Sequence, residues 1–189
     1  MYAEHQRAIS SAGRAAPKAM QRVCEFALAT IQVHLRDAAA SIRSGERPAK
    51  VWFGYKWQGL DYLAAHAEAI YVDAEMTESD AEQMAVFMRV PGIGPAKAGF
   101  LCQMLYGRVG CLDGHNLRRL GLEQAYRNLL HNRRPFGKSR YRQIEAYIRA
   151  CAAAGSPEQL WNGWCEYVAQ REGDRAETIS ALHLCCIGE

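Results

Sequence analysis

Apolar residues recur along most of this chain at three- and four-residue steps and almost nowhere at steps of two. Met20, Val23, Ala27, Ile31, Leu35 and Ile42 form one such series after Pro17. That is the stripe of an amphipathic helix, predicted over 17–43. Ser44-Gly45-Glu46-Arg47-Pro48 breaks it. Residues 51–59 (VWFGYKWQG) are rich in aromatics and read as irregular, with a helix over 58–71 after them. Thr77 and Ser79 each stand three residues before an acid, Asp80 and Glu82, so two capping boxes overlap at the start of a helix that runs to about Met88. Pro91-Gly92-Ile93-Gly94 then interrupts the chain. Pro95 suits the first position of the next helix, which ends near Gly107. Asp113 suits the N-cap of a short helix through Leu120. A helix over 141–154 stops at Gly155, and Ser156-Pro157-Glu158 starts another that ends near Gly173. A last short one is predicted over 177–184. The expectation is one all-α domain spanning 1–189, with eight or more helices.

Composition narrows the class. At 49% hydrophobic and 23% charged residues, the 189-residue chain has the make-up of a folded globular protein. Its sequence holds no run of about 18 apolar residues, so no membrane span is expected. Glu4, His5 and Arg7 stand where a signal peptide would be apolar, which points to a cytoplasmic chain. The seven cysteines are odd in number, form no CxxC pair and have no zinc or iron–sulfur spacing. No metal, cofactor or disulfide framework is therefore expected. Cys102 and Cys151 lie on apolar helical faces and read as small core residues. Trp161 and Trp164 follow a clean helix start and read as core too.

The net charge of +3 conceals a strong asymmetry. Residues 116–142 contain Arg118, Arg119, Arg127, Arg133, Arg134, Lys138, Arg140 and Arg142 against one acid, Glu123: eight minus one, a local +7. Residues 73–82 contain Asp73, Glu75, Glu78, Asp80 and Glu82 and no base, a local −5. A basic segment of this density suits a phosphate backbone; a solvated loop whose charges meet nothing is the alternative.

The stretch Val90-Pro-Gly-Ile-Gly-Pro-Ala-Lys-Ala-Gly-Phe-Leu101 carries the most information. Two glycines one residue apart, between two helical patterns, make a tight hairpin. The next helix begins at once, so its first N–H groups point out of the turn and form an anion site. Gly92, Gly94, Ala96 and Lys97 are the candidate phosphate-binding positions. Such a device holds a phosphate without reading any base. A plain corner between two packed helices would use the same glycines.

Residues 90–122 closely resemble the helix-hairpin-helix DNA glycosylase superfamily. Val90 to Gly94 match its hydrophobic-Pro-Gly-hydrophobic-Gly hairpin. Leu112-Asp113-Gly114-His115 match its hydrophobic-Asp-Thr-His segment, with Gly114 in place of threonine. The resemblance implies a glycosylase-like helical domain, with the hairpin motif at 77–107 and a DNA-facing segment at 116–142. It also implies double-stranded DNA with a flipped-out nucleotide as partner. Asp113 would be the catalytic carboxylate, stabilising charge at the sugar or orienting a nucleophile near the base, with His115 as a secondary candidate. Arg118, Arg119, Arg133, Arg134, Lys138 and Arg140 would face DNA or a leaving group. Trp52, Phe53, Tyr55, Trp57 and Gln58 are candidates for a pocket that stacks on the base. Gln103 is a further glutamine candidate by residue type.

One departure is informative. Bifunctional members carry a Schiff-base lysine where this chain has Ala96. Lys97 would point about 100° away around the helix, which argues against a lyase step. Two reactions stay open. One is hydrolysis of the N-glycosidic bond by a monofunctional glycosylase. The other, favoured here, resembles phage amino-acid:DNA transferases, which displace pyrophosphate from 5-pyrophosphoryloxymethyluracil with a free amino acid such as glycine. A phage-encoded chain would act in the host cytoplasm. A non-catalytic DNA-binding module is the third reading.

Overall fold

A computed structural model describes residues 16–31, 54–124 and 139–172. Seven helices are present among them and no strand: α1 Ala16–Ile31, α2 Gly54–Glu75, α3 Asp80–Phe87, α4 Pro95–Tyr106, α5 Gly114–Arg119, α6 Arg140–Ala154 and α7 Pro157–Glu172. The all-α expectation is met. No described helix is long and apolar enough to cross a membrane. The predicted segments 32–43 and 177–184 lie outside the described residues.

The sequence pattern predicts one domain, and contacts group the chain into two compact units. Among the described residues, one unit comprises 16–31, 54–76 and 90–92, and the other 77–89, 93–124 and 139–172. In the first, α1 packs on α2. Val23, Phe26, Ala27 and Ile31 form the buried stripe of α1, at the spacing read from the sequence. Helix α2 is a correction, because it starts at Gly54 and continues to Glu75 rather than spanning 58–71. Its buried series begins at Lys56 and runs on through Leu60, Leu63, Ile70 and Ala74. The aliphatic stem of a lysine can serve as an apolar stripe position, which a residue-type pattern does not count. At Gly59 a Cβ would sit 2.7 Å from the Pro91 carbonyl and 3.0 Å from Ile31 Cδ1.

The second unit is built on α3, α4 and α6, each packed on the other two, with α5 against α7. Of the two overlapping capping boxes, Ser79/Glu82 is the one that forms. Glu82 N–H donates to Ser79 Oγ at 3.2 Å, and Ser79 N–H donates to Glu82 Oε2 at 3.2 Å. Asp80 becomes the first helical residue and pairs with Arg108 at 2.6 Å. Helix α4 opens on Pro95 and closes on Gly107, whose φ of 65° is the left-handed stop that glycine favours. Helix α7 starts where Ser156-Pro157-Glu158 predicts, and Ser156 and Gln159 box that start, with N–H to side-chain oxygen distances of 3.2 and 2.9 Å. Met84, Phe87, Leu101, Cys102, Leu112, Ile144, Tyr147, Cys151 and Leu160 are fully or almost fully buried.

Gly99 sets how closely α4 approaches its neighbours. A Cβ there would collide with the Gly110 carbonyl and lie 2.6 Å from the Tyr147 ring. Both obstacles are rigid, so Gly99→Ala should destabilise the chain by about 1–3 kcal/mol or prevent folding, despite alanine's better helix propensity. Urea denaturation measures this, and a variant as stable as the wild type would contradict the packing described.

Candidate functional site

The segment 107–113 between α4 and α5 determines where Asp113 stands. It leaves α4 through two bonds, Gly107 N–H to the Gln103 carbonyl at 3.0 Å and Arg108 N–H to the Cys102 carbonyl at 3.2 Å. Val109 then adopts φ 65°, the one described non-glycine residue with a positive φ, and Gly110 follows at φ 114°. A β-branched residue in this region is strained by roughly 1–3 kcal/mol. The Tyr147 hydroxyl holds the strained turn. It donates to the Gly110 carbonyl at 3.1 Å and accepts from Leu112 N–H at 2.8 Å. Tyr147 is 1% exposed, and burial pushes its phenol well above the usual tyrosine range, so the hydroxyl stays a donor. Asn116 secures the far side. It is wholly buried, donates from Nδ2 to the Cys111 carbonyl at 2.6 Å and accepts from Arg119 Nε at 2.6 Å.

Asp113 emerges from this strap as the N-cap of α5. Its Oδ1 accepts from His115 N–H at 3.0 Å and Asn116 N–H at 2.9 Å. Its Oδ2 accepts from the indole N–H of Trp164, on α7, at 3.0 Å. The cap reading and the functional reading of Asp113 are thus compatible in one geometry. A carboxylate offers about four acceptor positions. Three are engaged among the described residues, which leaves one, on Oδ2.

A group of rings surrounds this carboxylate. Trp164 stacks on Trp161 with centroids 5.5 Å apart and planes 7° from parallel. Trp161 tilts against Phe100 at 6.2 Å, and His115 meets Trp164 and Tyr167 edge-on at 5.9 and 6.2 Å. All five side chains are half-buried. Trp161 and Trp164 therefore depart from the core assignment made on the sequence. Helix α7 rests on α5 through the Arg119 guanidinium, which lies over Gly163 and reaches the carbonyls of Gln159 and Leu160, and this keeps both indoles at the edge of the unit. Among the described residues, the buried Nδ1 of His115 has no hydrogen-bond partner.

The hairpin glycines differ from one another. Gly92 has φ 88°, so it needs glycine's freedom. Gly94 is the N-cap of α4 with φ −100° and ψ −175°, extended backbone open to any residue, and a Cβ there meets nothing within 4 Å. Neither strain nor described packing requires glycine at 94. Having no side chain, it also cannot cap the first N–H groups of α4, among them those of Ala96 and Lys97. Lys97 is half-buried in the first turn, and the Ala96 carbonyl accepts from the Cys111 thiol at 3.6 Å.

The remaining candidates divide. Arg118 is exposed and pairs with Glu123 at 3.1 Å. Arg119 is taken up in the α5–α7 contact. Arg140 donates to the Met88 carbonyl at 3.2 Å, closing the end of α3. Gln103 donates to the Pro157 carbonyl and is buried. Trp57 is half-buried and Gln58 exposed on α2, within the first unit. Trp52, Phe53, Arg133, Arg134, Lys138 and the side chain of Tyr55 lie outside the described residues. Among those described, no cluster of His, Cys, Asp and Glu could hold a metal ion. Burial pushes the Cys151 thiol up to about 12 and raises those of Cys102 and Cys111 as well, which suits structural thiols rather than nucleophiles.

Sequence reading missed several members of this site, Asn116 and Trp164 among them. Asn116 gave a modest signal, as an amide in the first turn of a short helix between two leucines. Trp164 gave none, because its partner is 51 residues away. No protein-family model, curated protein or solved structure matches this chain.

Tyr147→Phe tests the strap. The substitution keeps the ring and leaves the Leu112 N–H buried without its acceptor, at a cost of about 1–3 kcal/mol. Chemical denaturation should show that loss, and a loss below about 0.5 kcal/mol would mean that the hydroxyl bridge does not hold the turn.

Proposed function

We propose that this chain is a DNA-acting enzyme of the helix-hairpin-helix glycosylase kind, working on a pyrimidine flipped out of the duplex. The observation that carries the reading is the Asp113 carboxylate. It is fixed by three N–H donors beside half-exposed aromatic rings, in the sequence context that resembles the superfamily's catalytic segment. A fixed carboxylate next to stacking surfaces suits work on an extruded base, because stacking holds the base and the acid meets developing charge.

The favoured reaction is amino-acid transfer. The amine nitrogen of glycine, or of another amino acid, bonds to the exocyclic methylene carbon of 5-pyrophosphoryloxymethyluracil. The carbon–oxygen bond to pyrophosphate breaks, and pyrophosphate leaves with the electron pair. The proton released by the new secondary amine passes to the open position on Asp113 Oδ2. Lys97 and Arg118 are candidates to neutralise the leaving group, together with Arg133, Arg134 and Lys138. Arg119 is less suited, since its guanidinium serves the α5–α7 contact. The second reading is a monofunctional glycosylase in which the same carboxylate stabilises a cationic sugar. It is supported by Ala96 at the position of the lyase lysine, which suits both reactions.

The test incubates the protein with duplex DNA carrying 5-pyrophosphoryloxymethyluracil and single amino acids, and separately with uracil, oxidised and alkylated bases. Nucleoside masses are then read. A nucleoside that gains an amino acid with its sugar bond intact supports transfer, and free base with abasic sites supports excision. Asp113→Asn should lower either activity by a factor of about 10² or more, while an unchanged rate would remove Asp113 from the chemistry.

Gly94→Ala probes the hairpin separately. Stability should change by less than about 1 kcal/mol, since only a glycine cap is lost. Affinity for undamaged duplex should fall, because a methyl group would stand where a phosphate approaches. Wild-type affinity in this variant, measured at fixed salt, would move the DNA contact away from the hairpin.

A further inference from the structure

An aspartate that only caps a helix needs one oxygen. In this chain that task is complete at Oδ1, which receives both the His115 and the Asn116 N–H groups. The second oxygen has a partner that capping does not require, the Trp164 indole N–H at 3.0 Å. Trp164 does not need this bond for its own sake either. It is half-buried, and a half-exposed indole can give its N–H to water. Its ring is nevertheless held in one orientation, by the near-parallel stack on Trp161 and the edge contact with His115. Helix α7, which carries it, is held on α5 by Arg119 through the Gln159 and Leu160 carbonyls.

We infer that Trp164 is a positioning residue for Asp113. The cap fixes one oxygen, and the indole fixes rotation of the carboxylate about its Cβ–Cγ bond. Together they leave a single acceptor position on Oδ2 in a set direction. Trp161 and His115 act one step further out, by holding the indole plane. The inference rests on the reading of Asp113 as the reacting carboxylate.

Two measurements on the full chain test it. The first follows the Trp164 indole N–H by nitrogen-15 NMR, assigned by its disappearance in Trp164→Phe. In Asp113→Asn the side-chain oxygen can still cap α5, but the amide turns N–H groups toward the indole, so donor faces donor. The Trp164 signal should move and its hydrogen exchange should quicken by about tenfold, as expected for a lost bond to a charged acceptor. A signal that neither moves nor exchanges faster overturns the inference. The second measures turnover of duplex DNA carrying 5-pyrophosphoryloxymethyluracil with glycine, and of uracil-containing duplex. Trp164→Phe should lower kcat by about tenfold or more with KM within about twofold, and should cost nothing further in the Asp113→Asn background. Full kcat in Trp164→Phe, or an equal loss in both backgrounds, overturns the inference while leaving the proposed function standing. A wild-type protein inert on both DNAs sinks the proposed function, and the positioning role with it.

Discussion

The hydroxyl of Tyr147 is the group on which the geometry of the second unit turns. It sits at the centre of the α3–α4–α6 core and makes two bonds to the chain between α4 and α5, one as donor and one as acceptor. Only a group with both capacities can bridge a carbonyl and an N–H two residues apart. The bridge spans Cys111, directly after Val109 and Gly110, where the backbone turns through positive φ. Strain of this kind persists only where the surroundings over-determine it. Here they comprise the phenol, the close approach permitted by Gly99, and the Asn116 amide bonded to the Cys111 carbonyl. After the strained turn Cys111 and Leu112 stay buried, and Asp113 arrives half-buried at the start of α5.

From there the site is held from a second direction. Arg119, on the last turn of α5, lies across Gly163 and bonds to α7 carbonyls. A side chain at 163 would occupy the place of the guanidinium. The contact brings the Trp161–Trp164 stack up to the carboxylate. Asp113 is therefore fixed by the strap behind it, by the helix it caps, and by an indole from a helix late in the chain. Tyr147, Gly99, Arg119 and Gly163, which do not themselves bond to the carboxylate, determine whether these three constraints coincide.

Much of this was legible in the sequence, for definite reasons. The stripe of α1, the Ser79/Glu82 cap, the Pro95 and Ser156-Pro157-Glu158 starts and the Gly107 and Gly155 stops all depend on residues within a turn of each other. Asp113 was legible as a cap on the same grounds. The early start of α2 was not, because a buried position in its first turn is taken by Lys56. Nor was the exposure of Trp161 and Trp164. An aromatic pair at helical spacing has the same pattern whether it faces a core or the rim of a site, and only the tertiary contact of α5 with α7 decides between them. The reading of the basic segment changed residue by residue. Arg119 and Arg140 look like free surface charge in the sequence, yet both bond to backbone carbonyls in the fold.

The same change bears on what Asp113 can do. A helix cap and a reacting carboxylate are usually weighed as alternatives, since a cap needs its oxygens engaged and a reagent needs one open. The two oxygens of Asp113 divide the tasks. Oδ1 takes both backbone N–H groups, and Oδ2 takes one N–H and retains one position. The capping bonds are then an asset to chemistry, because a carboxylate already fixed needs no reorganisation when charge or a proton reaches it. A surface aspartate free to rotate would lack that advantage. In the proposed reading the strained strap and the helix cap would supply rigidity, and the Trp164 indole would supply direction at Oδ2.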